Sequence, residues 1–157
     1  MKKQKFNIVR TAEGTMFEVA FVVLAVAVWA MIVVLLMRAP DTVPVHFSLS
    51  GTPDGWGSKY TMVLPCLITT VIGAGMLLGA YFPHTVNLPV SIKNERQAWL
   101  VVRMMRIMAI LFLLLTLAMG ALLSQMALFH TAVPALVCTA LIVAVVAVFT
   151  FLVYKAK

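Results

Sequence analysis

Polar and apolar positions alternate along this chain in long blocks rather than residue by residue. Four apolar runs, Val19–Met37, Thr61–Phe82, Ile107–Leu128 and Thr131–Val153, are separated by short polar stretches. Each is long enough to cross a hydrocarbon core, which takes about 20 residues of helix. None carries a charge in its interior, where one costs roughly 2.5–3.5 kcal/mol on an insertion scale. The pattern predicts an all-α integral membrane protein of four transmembrane helices, over 16–37, 61–82, 95–128 and 131–154, forming a single domain over 1–157. The first run reads as a retained helix. It is too long for a signal-peptide core, and Met37-Arg38-Ala39-Pro40 offers no small-residue cleavage site.

Composition agrees with the block pattern. The chain has 157 residues, 63% of them hydrophobic and 11% charged, where a soluble domain carries about a quarter charged residues. Mean hydropathy is +1.06. Such a surface needs lipid as its solvent, so the bilayer is the first expected partner.

The net charge of +7 is distributed as a topology signal. With four spans, the N-terminus, the middle loop and the C-terminus share one side. That side holds Lys2, Lys3, Lys5, Arg10, Lys93, Arg96, Arg103, Arg106, Lys155 and Lys157, against Arg38 and Lys59 on the other. The positive-inside rule then predicts both termini in the cytoplasm of a multi-pass cytoplasmic-membrane protein. It also removes the reason to expect a nucleic-acid partner. The short basic tail is expected to lie on the anionic leaflet.

The segment between the first two helices breaks the apolar pattern and is expected outside the cell. Val43-Pro44-Val45-His46-Phe47 reads as a short extended piece with Val45 and Phe47 on one face and His46 on the other. Ser50-Gly51 and Pro53-Asp54-Gly55 read as turns. Trp56 suits the aromatic belt, Ser58 can cap the second helix, and Lys59 sits at headgroup level. The anchors Val43, Val45, Phe47 and Trp56 argue for a compact fold, since flexible linkers lack them.

Elsewhere the candidate chemistry is sparse. Glu18 reads as an interfacial acid at the start of the first helix, favoured by the helix dipole. Cys66 and Cys138 lie within helices with no CxxC spacing. His46, Asp54 and His130 are scattered without ligand spacing, so no metal and no cofactor are expected. No serine or cysteine stands beside a base in a nucleophile motif, and no enzymatic activity is expected. Gly75 and Gly79 form a GxxxG pair for close helix packing, within the chain or in a homo-oligomer. Asn94 and Glu95 open a helix on which Arg96, Trp99, Arg103 and Arg106 share an arc of about 80°. That face is expected to meet lipid headgroups or a cytoplasmic partner.

The loop motif Pro44-x-His46-Phe47, followed by Gly51-x-Pro53-Asp54-Gly55-Trp56-Gly57-Ser58-Lys59, resembles a bacterial membrane domain of unknown function. That domain also forms the N-terminal part of SdpI-type toxin-immunity proteins. Ser48 stands where that family usually has asparagine, and the likeness covers residues 17 to 110. The resemblance implies an outer loop that recognises a peptide toxin or membrane protein, with a cytoplasmic regulator as the inner partner. Two readings from other classes stand beside it. One is a small transporter or transporter subunit, whose polar inventory would be Thr69, Thr70, Thr116, Ser124, Thr139 and Thr150. The other is a structural assembly factor.

Overall fold

The computed structural model describes residues 6, 8–48, 50–124 and 131–156. Its elements run α1 (Ala12–Arg38), β1 (Thr42–Phe47), β2 (Pro53–Ser58), α2 (Val63–Gly79), α3 (Glu95–Ala121) and α4 (Val133–Lys155). Single 3-10 turns at Lys59–Met62, Pro83–Thr85 and Leu122–Ser124 join them. All four helices are long and apolar enough to cross a membrane once the turns continuous with α2 and α3 are included. Residues 125–130, which include His130 and the part of the third predicted helix beyond Ser124, lie outside the described residues.

Helix α1 starts four residues before the predicted boundary, and its cap explains why. Thr11 is extended, and its hydroxyl accepts the Gly14 N–H at 3.1 Å. Glu13 adds an acid to the first turn, where the helix dipole favours it. The helix stops at Arg38 because Pro40 drives Ala39 out of helical geometry, to ψ 145°.

Helix α3 lies at the centre and α4 at the edge. Half of the membrane-length window of α3 is buried, against 6% for α4. The exposed surface of α4 is Leu136, Val137, Leu141, Val143, Val148 and Phe151, a face that only hydrocarbon solvates well. Inside the bundle, Trp29 Nε1 donates to Thr70 Oγ1 at 3.1 Å, and the Thr69 and Thr116 hydroxyls are 2.8 Å apart. These bonds tie α1 to α2 and α2 to α3. Each interhelical bond of this kind contributes about 0.6 kcal/mol on average.

Close approach depends on particular glycines. A Cβ on Gly73 would lie 3.0 Å from the Ala109 carbonyl and 3.1 Å from the Phe21 ring, so α1, α2 and α3 meet there. One on Gly120 would lie 2.6 Å from Ile32. The two glycines of the GxxxG pair differ in their surroundings. Gly79 packs against Met105, but Gly75 has nothing within 4 Å. The two-residue offset from Gly73 to Gly75, about 200° around the helix, separates the packed Gly73–Thr69 side of α2 from its open side.

The bundle has two polar ends. At the end bearing the termini, Asn94 caps α3 by accepting the Gln97 N–H at 2.8 Å. The same two side chains donate to α4, Asn94 to the Ala156 carbonyl at 2.9 Å and Gln97 to the Val153 carbonyl at 3.0 Å. One helix start therefore closes the other helix end, satisfying carbonyls that a free C-terminus leaves open.

Candidate functional site

At the other end β1 and β2 form an antiparallel hairpin, with Thr42 opposite Ser58, Pro44 opposite Trp56 and Phe47 opposite Pro53. The turn is not where Pro53-Asp54-Gly55 suggested. Those residues open β2, and the reversal is closed instead by the Ser48 N–H donating to the Thr52 carbonyl at 2.8 Å. Gly51 there takes φ +79° and donates to the Ser48 carbonyl at 2.9 Å. That left-handed geometry suits glycine alone at low cost. The Gly51 carbonyl accepts the Ala132 N–H at 3.0 Å, which docks the hairpin tip on the start of α4.

The glycines of β2 serve the partner strand rather than a turn. A Cβ on Gly55 would lie 2.9 Å from the His46 Cβ, and one on Gly57 would lie 3.1 Å from Val45 Cγ2. Bare backbone at these two positions lets the side chains of β1 lie across β2.

The hairpin faces two ways. Val43 is fully buried and Val45 and Phe47 pack beside it, against Val28, Ile32, Met62 and Leu123. Burial of a side chain such as Val43 stabilises by about 1.5–3 kcal/mol. Pro44 is buried as well. The outward face carries His46, Asp54, Trp56 and Ser58. His46 Nδ1 and Asp54 Oδ1 are 2.5 Å apart, with the imidazole 74% and the carboxylate 45% exposed. A carboxylate on Nδ1 selects the tautomer with its proton there and leaves Nε2 as an outward acceptor. Trp56 is 61% exposed and follows Asp54 on the same face of the strand. Ser58 caps the turn that leads into α2, accepting the Tyr60 N–H at 3.4 Å. Lys59 lies beneath the hairpin with its side chain 12% exposed, its ammonium 3.1 Å from the Ala39 carbonyl and 3.2 Å from Asp41.

So ten residues singled out between Pro44 and Lys59 do not act alike. His46, Asp54 and Trp56 form one exposed patch. Pro44, Phe47 and Lys59 hold the hairpin down, and Gly51 and Gly55 set its shape. Among the described residues, no three His, Cys, Asp or Glu side chains are grouped to hold a metal. Cys66 and Cys138 are free thiols.

The four-residue arc at the terminal end is split by the structure. Arg96 is exposed and Trp99 half-buried. Arg103 makes a two-pronged bond to Glu13, at 3.0 and 3.1 Å, and Glu95 occupies the first turn of α3. Arg106 is only 1% exposed, so it does not share the open face on which Arg96 lies. The extra first turn of α1 covers it: a Cβ on Gly14 would lie 2.5 Å from its NH2. Glu18 sits one turn on, bonded by the Tyr81 hydroxyl and by Arg10 at 2.5 Å. Sequence reasoning missed Arg10, Glu13, Gly14 and Tyr81. The cap signal Thr11 with Glu13 at the first turn would have found the helix start.

Comparison with known proteins finds a similarity that includes the hairpin. Residues 23–70 match the model of a domain of unknown function, DUF1648. An uncharacterized protein of Archaeoglobus fulgidus is 30% identical over 107 residues, covering 59% of this chain and 57% of the relative. The chain thus spans less than two thirds of the length of that relative. No solved structure matches. The matched segment takes in the second half of α1, the whole hairpin and the start of α2, so the similarity to DUF1648 centres on the hairpin of this four-helix membrane protein.

Proposed function

We propose that the hairpin is a recognition element on the outer face of the cytoplasmic membrane, binding a peptide or another membrane protein. The observation that carries this reading is the His46–Asp54 pair, exposed beside Trp56 on a hairpin whose other face is buried. A rigid mount of this kind lowers the ordering cost of binding. An exposed aromatic beside an oriented imidazole supplies apolar contact and a directional hydrogen bond together.

Orientation rests on the basic residues, ten at the terminal end against Arg38 and Lys59 at the hairpin end. The resemblance of the loop to SdpI-type proteins supports immunity or signalling as the finer role, with a peptide toxin outside and a regulator inside. Transport is the weaker reading. The Thr69, Thr70 and Thr116 hydroxyls bond to one another or to carbonyls of their own helices.

The test is the double variant His46→Ala/Asp54→Ala in cells expressing the chain. A surface pair of this exposure contributes about 0–1 kcal/mol to folding, so membrane levels stay at wild type while protection against a secreted peptide is lost. Collapse of the protein level would assign the pair to folding instead.

A further inference from the structure

The terminal end of the bundle holds a charge that the protein does not neutralise. Arg10, Arg103 and Arg106 meet Glu13 and Glu18 there. Arg103 takes Glu13, and Arg10 takes Glu18. Arg106 is left over, and it is the buried one. Its NH1 and NH2 are both shielded from solvent and have no hydrogen-bond partner, although the guanidinium lies near enough to Glu18 and Tyr81 to act on both through its charge. A buried cation without acceptors is costly, and native structures satisfy such groups.

Two further features say what would satisfy it. The two free nitrogens form the end of the guanidinium fork, the geometry that meets two oxygens of a phosphate or carboxylate at once. The depth is that of a headgroup. Arg106 is the last charge on α3, with none from Ile107 to Ala121, and Glu18 is the last on α1 before Arg38. The cluster therefore marks the border between the polar and hydrocarbon layers.

We propose that Arg106 is an anion site for phosphate oxygens, filled by the phosphodiester of an anionic phospholipid, with NH1 and NH2 each donating to one oxygen. A single negative charge balances the three arginines against the two glutamates. Arg106 then holds one lipid against the α1–α3 seam at Gly14.

The experiment compares the full chain in phosphatidylcholine vesicles with and without phosphatidylglycerol, reading bound lipid after extraction by native mass spectrometry. The wild-type protein retains one phosphatidylglycerol, and Arg106→Gln retains it about tenfold less, the loss of a charged two-pronged contact. Arg103→Gln, whose arginine already has a carboxylate, retains it as wild type does. Should Arg106→Gln fail to insert, Arg106→Lys keeps the charge but removes the fork, and weaker retention is again expected. Equal retention by the wild type and whichever Arg106 variant inserts overturns the proposal. Inorganic phosphate added to phosphatidylcholine vesicles separates the sources. If it competes the lipid off only in proteins that carry Arg106, the anion site stands; if phosphate alone binds there and the lipid does not, the lipid is rejected as the ligand.

Discussion

The ammonium of Lys59 donates to the carbonyl of Ala39 at 3.1 Å, across twenty residues of chain. This bond closes the base of the hairpin, joining the residue just after α1 to the turn that leads into α2. Lys59 is nearly buried, while its second partner, Asp41, is 97% exposed. The two contacts therefore differ in weight. Lys59→Ala should lower the stability of the detergent-solubilised protein by about 1.5–3 kcal/mol, the range for a hydrogen bond to a charged group. Asp41→Ala should cost less than about 1 kcal/mol, as exposed pairs do. Thermal unfolding of the two variants side by side checks the order.

Gly73 and Gly75 are two residues apart and should behave oppositely. Gly73→Ala drives a methyl toward the Ala109 carbonyl and the Phe21 ring, an overpacking that costs about 1–3 kcal/mol. Gly75→Ala meets nothing within 4 Å and should be neutral or stabilising by up to about 1 kcal/mol, since glycine weakens a helix interior. Size-exclusion chromatography of the Gly75 variant completes the comparison. Dissociation of an oligomer there would place a second copy against that face of α2.

Tyr81 donates its hydroxyl to Glu18, and that bond, followed by burial, raises its pKa above the ordinary tyrosine range. The sign follows directly. The neutral phenol is the form the fold favours, so its stabilisation is complete below the usual tyrosine pKa and is lost as pH rises through the elevated one. A tyrosinate absorbance titration should show Tyr81 ionising late, and Glu18→Ala should bring it back toward the ordinary range.

The orientation has a simple test. Ser50 is exposed at the hairpin tip. In a chain freed of Cys66 and Cys138, Ser50→Cys should react with a membrane-impermeant maleimide in intact cells. Arg96→Cys, at the other end, should react only after lysis.

How much of this was readable from residues alone depends on the kind of signal. Lipid forbids charge and unsatisfied backbone in its interior, so the four helices stand out in the sequence to within a few residues. Their packing does not. A helix as uniformly apolar as α4 carries no periodicity to say which face meets protein, and the split between Gly73 and Gly75 needs coordinates. The hairpin was half legible. Alternation in Val43–Phe47 announced β1, but the glycines of β2 read as turn residues because their role lies on the opposite strand, under His46 and Val45. Arg106 was read by arc, as one of four surface residues. Its burial is decided by Gly14 on another helix, ninety-two positions away in sequence, and no local pattern reports that.

The claim that the hairpin binds a partner is tested most directly by a photo-reactive amino acid at Trp56, in the otherwise native chain, in the producing membrane. The account predicts a discrete crosslinked species of defined mass that disappears when His46 and Asp54 are both alanine, with protein levels unchanged. Crosslinks to lipid alone, identical with and without the pair, would contradict it and leave the hairpin as a tight crossover at the membrane surface.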